Sequence, residues 1–269
     1  MLFEFPKERF AELKPLFEKH QHLTIVIKNI LKDRNGDVFV DNTENPSIAL
    51  MCFKIMEFVA GDHLHPKAIE VISCISENKL VLFQDDDWLK LAEKHLILSA
   101  YPRVKFSSES LSIEKANLLL EKQLPDGYIL EKININTLKT MNPKLLPVIL
   151  PFFRSIEDFI ERGIGYCIKK DNLVISLGIS GFPIIDNTFK FQVITDPAPK
   201  HRRKGFATLC CAATIKESLE KGIIPHFDAD TDVASRLALK LGFTSPENYI
   251  AYICSKNPLK CQFKMVKYL

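Results

Sequence analysis

Lys200, His201, Arg202, Arg203 and Lys204 form a cationic run that ends at Gly205, and Ala207 follows closely. Residues of these types in this order suit an anion. If a helix starts at the glycine, its first backbone N–H groups lack intrahelical partners and its dipole favours negative charge there. Gly205 and Ala207 carry little or no side chain to hold a phosphate away from those groups. The chemistry available is therefore recognition of a phosphate-like group by backbone amides beside a positive side-chain field.

The flanking stretches supply the elements that would position such a loop. Before it, Phe189, Phe191, Val193 and Thr195 alternate with intervening residues in the manner of a strand. Asp196-Pro197-Ala198-Pro199 stops that strand, because proline lacks the donor a sheet needs and holds the preceding residue extended. After Gly205, an apolar-rich helix runs to Lys221-Gly222. A short strand from Ile223 to Phe227 follows, then a helix opening at Asp232 and Ser235, then Lys240-Leu241-Gly242-Phe243.

This succession resembles the GNAT superfamily of acyl-CoA-dependent N-acetyltransferases over roughly residues 126–254. Arg202, Gly205 and Ala207 match the family's R/Q-x-x-G-x-G/A loop. Ser235 and Gly242-Phe243 match its N-x-x-S/A helix ending in K-x-G-F, with Asp232 where the family usually has Asn. The resemblance implies acetyl-CoA as acetyl donor. Backbone N–H groups of Arg203, Lys204, Gly205, Phe206 and Ala207 would cradle the pyrophosphate, and Arg202, Arg203 and Lys204 would raise the local potential. Val193, Ile194 and Thr195 would offer backbone groups to the pantetheine arm, one N–H polarising the thioester carbonyl. Asp232 and Ser235 either meet the pantetheine arm or cap their helix.

The implied reaction is transfer of an acetyl group to a primary amine of a small molecule or protein. The family's usual acid–base pair is not matched. Lys190 and Gln192 occupy the strand where a Glu is common, and Ala238 stands where a Tyr is common. His226, Asp228, Asp230 and Tyr252 are the alternatives, and orientation alone can supply much of the rate. A non-catalytic acyl-CoA-binding or sensing module is the competing expectation.

Other constellations are weaker. Asp228-x-Asp230-x-Asp232 lacks the glycine and the terminal Glu of a calcium loop, Val233 and Leu239 standing there instead. His63-x-His65 has no companion ligand cluster, so no metal is expected. Gly163-Ile164-Gly165 lacks the third glycine of a dinucleotide fingerprint. A net charge of +3 does not argue for nucleic acid. The longest dense apolar run, Leu145 to Phe153, is far too short for a membrane span. The N-terminus does not read as a secretory signal. Seven cysteines without a C-x-x-C pair suit reduced thiols in the cytoplasm.

The expected fold class is α+β: a GNAT-type mixed, mostly antiparallel sheet with flanking helices, preceded by a smaller α+β lobe. The 269 residues divide best at Leu124-Pro125-Asp126-Gly127, giving a lobe over 1–124 and an acetyltransferase domain over 125–269. The two-lobed length resembles the zwittermicin-resistance type of GNAT enzyme, whose first lobe can be a degenerate acetyltransferase-like fold. In the first lobe the pattern predicts a helix over Lys7 to Lys19, a strand over Leu23 to Ile30, and a hairpin turn at Asn35-Gly36. It further predicts strands between Val38 and Ala60, a helix from Lys67, a strand over Leu80 to Phe83, and a helix capped by Asp85-Asp86-Asp87. In the second half it predicts a strand over Tyr128 to Ile133 and helices over Asn136 to Met141 and Lys144 to Phe153. A helix capped by Ser155 and a strand pair turning at Lys170-Asp171-Asn172 follow.

Overall fold

Thr24, Lys28 and Lys32 are exposed while Ile25, Val26, Ile27 and Ile30 are buried. A polar stripe recurring every four residues is a helical period, and Thr24–Asp33 is an α-helix, not the strand expected for that run. The β-branched residues pointed to a strand because burial on nearly all sides hides the apolar period; tertiary packing overrides propensity here. The Asn35-Gly36 turn accordingly links a helix to a strand rather than two strands. Arg34 (φ 53°) ends the helix and Gly36 (φ 90°) turns the chain, its missing side chain leaving room for the Cys52 carbonyl.

The computed structural model describes residues 1–141, 152–196, 198–259 and 265–266. It divides into two units: unit 1 is Met1–Arg103 with Tyr249–Leu269, and unit 2 is Val104–Asn248. Unit 1 begins with β1 (Leu2–Glu4), a 3-10 stretch Lys7–Leu13 leading into α1 (Lys14–Phe17), and α2 (Thr24–Asp33). Next come β2 (Asp37–Val40), β3 (Ile48–Phe53), β4 (Met56–Gly61), α3 (Ala68–Cys74), β5 (Leu80–Phe83), α4 (Asp86–Glu93) and β6 (Ile97–Ser107). With β12 (Thr244–Lys256) and β13 (Met265–Val266), the strand order in this unit is β13-β1-β2-β3-β4-β5-β12. Its core gathers Phe39, Leu50, Val59, Val71, Ile72 and the fully buried Trp88. Asp85 caps α4 by accepting from the Trp88 N–H, as its sequence predicts.

Unit 2 contains α5 (Ile113–Leu120), β7 (Tyr128–Lys132), α6 (Ile135–Lys139) and α7 (Ile156–Arg162). It continues with β8 (Gly165–Lys170), β9 (Leu173–Ser180), β10 (Thr188–Thr195), α8 (Phe206–Glu220), β11 (Ile224–Ala229) and α9 (Asp232–Leu241). The strand order is β6-β11-β10-β9-β8-β7, antiparallel throughout except for the parallel β10–β11 pair. Ser155 caps α7, and Asp171 (φ 49°) and Asn172 (φ 61°) turn the β8–β9 hairpin with both central residues left-handed. The helix expected over Lys144 to Phe153 lies almost wholly outside the described residues, as does the predicted strand stop at Pro197.

The division differs from the expected one at residue 124. The Pro125 to Tyr128 turn is internal to unit 2, because α5 packs on α8 and the end of β6 pairs with β11 through Phe106↔Phe227. At the other end, Tyr252 and Ile253 of β12 pair with β5 in unit 1. Each unit runs strand, helices, three antiparallel strands, helix, parallel strand, helix.

Alternation along β10 and β11 gives unit 2 two unlike faces. Phe189, Phe191, Phe227 and Ala229 point into a core with Cys211, Ala212 and Ile215 of α8. The Phe191, Phe227 and Phe243 rings lie 5.3–6.3 Å apart. Helix α8 approaches β9 closely: a Cβ at Gly178 would meet Cys211 Sγ at 2.8 Å and its backbone N at 3.0 Å. Thr214 Oγ1 donates to the Gly178 carbonyl at 2.8 Å. Cys210 and Cys211, one position apart on the helix, enter two different core clusters. Burial pushes both thiols up, so they stay protonated packing groups.

Candidate functional site

The β10–β11 ladder is short. It holds at Thr188↔Ile224, Phe189↔Pro225 and Lys190↔His226, and among the described residues no strand pair continues it. Beyond that point β10 pairs only with β9, from Phe191↔Ser180 to Thr195↔Ser176, while β11 pairs with β6. The Gly181 N–H donates to the Lys190 carbonyl (2.7 Å) and the Asp196 N–H to the Ile175 carbonyl (2.8 Å). With that register, the backbone groups of Lys190, Gln192, Ile194 and Asp196 face β9, and those of Phe191, Val193 and Thr195 face the side from which β11 has departed. A slot lined by strand backbone results. Of the three residues expected there, Val193 and Thr195 turn their N–H and C=O into it, whereas Ile194 turns away and packs its side chain on the Leu138–Phe159 core.

At the end of β10 a 3-10 turn over Pro199–His201 leads into the cationic loop. Arg203 (φ 58°) and Gly205 (φ 83°) are left-handed on either side of Lys204. Alternation of this kind turns successive N–H groups inward and makes an anion-binding concavity. Gly205 is the N-cap of the 15-residue α8, which has no side-chain cap bond and no acidic residue in its first turn. By contrast α4, α5, α6, α7 and α9 are each capped by a side-chain oxygen. The Phe206 and Ala207 amides thus open the helix beside Arg202, Arg203 and Lys204.

The loop is braced from β7. The Tyr128 ring lies 4.7 Å from Phe206 and tilts against it, and its hydroxyl sits 3.2 Å from Nδ1 of the buried His201. Lys170 and Lys204 stand over the same ring at 4.7 and 5.5 Å. Lys122 arches over from the end of α5, its Nζ donating to the Lys204 carbonyl at 2.8 Å. A Cβ on Gly205 would come within 2.7 Å of that Nζ.

The second motif sits where expected in chain order. Helix α9 opens directly after β11, but Thr231 caps it by accepting from the Ala234 N–H; Asp232 is its exposed first residue. Ser235 is half-buried one turn along, its N–H given to the Thr231 carbonyl at 2.9 Å. On the face of β10 and β11 opposite α8, strand alternation lines up Lys190, Gln192, His226 and Asp228. Lys190 Nζ and an Asp228 carboxylate oxygen are 3.6 Å apart, with side chains only 11% and 7% exposed. Asp230 is exposed past the strand end, and Tyr252 lies in unit 1.

A splayed parallel strand pair, a glycine-led loop and an uncapped helix form one arrangement, and the comparisons with known proteins agree with it. The model of the GNAT acetyltransferase family matches residues 14–252. The chain belongs to the GNAT acetyltransferase family. A curated relative, the uncharacterized N-acetyltransferase YdfB of Bacillus subtilis (strain 168), is 25% identical over 264 residues, covering 94% of this chain and 98% of the relative. The crystal structure of a GCN5-related N-acetyltransferase-like protein from Streptococcus suis 89/1591 is similar in fold, with a TM-score of 0.75 at 23% identity over 91% of this chain and 98% of that one. A tandem GNAT protein from the clavulanic acid biosynthesis pathway matches with a TM-score of 0.54 at 11% identity, covering 94% and 97% of the two chains. The protein is thus an N-acetyltransferase with a GNAT fold.

Within the GNAT frame the two units differ at the slot. In unit 1 the β4–β5 ladder runs from Met56↔Leu80 to Val59↔Phe83, and the Gln84 N–H extends it to the Val59 carbonyl. Gly61 is the next slot-facing residue, and side chains close on it from within. Gln84 Oε1 accepts the Gly61 N–H (3.0 Å), while Gln84 Nε2 (3.3 Å) and Trp88 Nε1 (2.8 Å) donate to its carbonyl. The loop that would match the cationic one is Asp62 to Lys67. Its Leu64 and Lys67 amides are already taken by Asp62 Oδ1 and His65 Nδ1. His65 also pairs with Asp41 at 3.4 Å, which occupies the histidine of the His63-x-His65 pair.

Lys122 and Tyr128 were not legible as site residues, and Lys190 and Asp228 were legible singly but not as a pair. The first two act on the loop from segments more than seventy positions away, as the Lys122 and Tyr128 bonds show. A signal for Asp228 did exist: an acidic residue at the end of the fifth GNAT strand, opposite a lysine where a Glu is usual.

Proposed function

We propose that the protein transfers an acetyl group from acetyl-CoA to a primary amine of a small molecule or protein, using the unit 2 slot. The observation that carries this is the termination of the β10–β11 ladder at Lys190↔His226, immediately before the glycine-led, uncapped start of α8. Acetyl-CoA supplies the activated acetyl group. Val193 and Thr195 hold the pantetheine arm through slot-facing backbone groups, and a slot-facing N–H stabilises the charge that develops on the carbonyl oxygen. Ile194 supports the strand from the β9 side. Arg202, Arg203, Lys204, Gly205, Phe206 and Ala207 hold the pyrophosphate, and Asp232 and Ser235 border the arm from α9.

Asp228 is the proton acceptor for the attacking amine, with His226 beside it on the same strand face. Lys190, 3.6 Å away, keeps the carboxylate in place. Six described cysteines are free thiols, which supports a reducing compartment and the cytoplasm as the working location. The alternative is a non-catalytic acyl-CoA-binding module, favoured by Lys190 and Gln192 on β10 and Ala238 on α9. Thiol release from acetyl-CoA over a panel of primary amines separates the two. Turnover is expected with at least one amine, and Asp228→Asn is expected to lower kcat by about a hundredfold while the KM for acetyl-CoA holds. Binding without release on any amine would favour the module instead.

A further inference from the structure

Unit 1 contains a cavity of about 530 Å³ beside its closed slot. His20 and His22 from the α1–α2 turn, Asp85 and Asp86 at the start of α4, and Tyr249 and Tyr252 of β12 contribute to its wall. His20 is 4% exposed, and its Nε2 lies 3.0 Å from the Val59 carbonyl oxygen. A carbonyl only accepts, so Nε2 carries the proton. Burial, against the weaker pull of the Val59 bond and the Asp85 charge, lowers the His20 pKa to about 4 and keeps the ring neutral. Nδ1 is therefore a lone-pair acceptor. It makes no hydrogen bond among the described residues and is not sealed in the core, so it is left to the cavity the ring lines.

The rest of the wall has the same polarity. Asp85 is fixed by the Trp88 N–H on one oxygen (3.0 Å) and Gln84 Nε2 on the other (3.1 Å), while Asp86 is exposed beside it. His22 stacks on the Tyr249 ring at 4.0 Å, and the Phe83 and Tyr252 rings are 6.0 Å apart. Burial first, then the Glu93 and Asp86 charges, raise the Tyr252 pKa. No lysine or arginine is among the lining residues. Arg103 Nε donates to the hydroxyl of the lining Tyr249 at 3.0 Å, while the lining residues themselves present acceptors, carboxylates and aromatic faces, a combination that suits an N–H-donating cation.

We propose that this cavity is a binding site for an organic ammonium with an apolar body, the cation donating to His20 Nδ1 and the Asp85 and Asp86 carboxylates and the body lying against Tyr249 and Tyr252. The site is built within unit 1 and does not rest on acyl transfer in unit 2.

The test uses the full chain without acetyl-CoA, titrated with tyramine and with tyrosol, in which a hydroxyl replaces the ammonium. The readout is the His20 Nδ1 nitrogen resonance, assigned by its loss in His20→Gln. Tyramine is expected to shift it, tyrosol to do so at least about tenfold less tightly, and Asp86→Asn to raise the tyramine midpoint about tenfold. An unmoved resonance at saturating tyramine, equal midpoints for the two compounds, or an unchanged midpoint in Asp86→Asn would overturn the proposal.

Discussion

Lys122 shows how a single residue can belong to the site without belonging to its motif. Its Nζ reaches the Lys204 carbonyl at 2.8 Å and hangs over Gly205, where a bound pyrophosphate would compete for it. Lys122→Ala is expected to weaken acetyl-CoA binding roughly two- to fivefold at about 0.1 M salt, with the difference shrinking at about 1 M. Titration at both salt concentrations checks this, and a salt-independent difference would argue for packing instead. Arg202, Gly205 and Ala207 could be picked out beforehand because a loop motif is local in sequence. Lys122 could not, since only the packing of α5 on α8 brings it there. The Lys190–Asp228 pair was hidden for a similar reason, as it depends on strand register.

The elements were legible where their period was clean and misread where burial erased it. The β8–β9 hairpin, β10, α8 and α9 follow their patterns closely. Helix α2 does not, because four β-branched residues buried together resemble a strand, and only the exposed Thr24, Lys28 and Lys32 reveal the turn. How α8 is seated on β9 also sets where its N-terminus opens. Gly178 permits that approach, so Gly178→Ala must push Cys211 and the helix outward. A loss of about 1–3 kcal/mol in unfolding free energy is expected, together with weaker acetyl-CoA binding. Denaturant unfolding with cofactor titration measures both. Full retention of stability and binding would show that α8 does not depend on this contact.

At the scale of the molecule, each unit repeats one order of elements, yet among the described residues only unit 2 keeps an open slot. Gln84 and Trp88 close the other. The repeat was not visible as sequence similarity, because the shared features are strand order and pairing rather than residue identity. The two units also carry different acid sensitivities. His20 in unit 1 has its pKa depressed from 6.5 to about 4 by burial, so its contribution is full above about 6.5 and is lost as pH falls toward 4. Glu217 on α8 in unit 2 would be raised by burial, but bonds from Lys132, Lys221 and Tyr166 bring it from 4.5 down to about 2. Its contribution is full above about 4.5 and is lost as pH falls toward 2. The His20 contribution is on the order of 3 kcal/mol, and that of Glu217, screened by solvent around its half-exposed lysine partners, is about 1 kcal/mol. Stability is expected to fall in two stages, with His20→Phe abolishing the upper one and Glu217→Gln the lower. A single transition unaffected by either change would contradict that assignment.

Calorimetric titration with acetyl-CoA decides whether the chain has one acetyl-CoA slot and whether that slot lies in unit 2. One site per chain is predicted. In Gly205→Glu, which strains the left-handed φ of 83° and sets a carboxylate at the loop, binding is predicted to vanish while circular dichroism still shows a folded chain. Two equivalent sites, no site, or a single site that survives Gly205→Glu would contradict it.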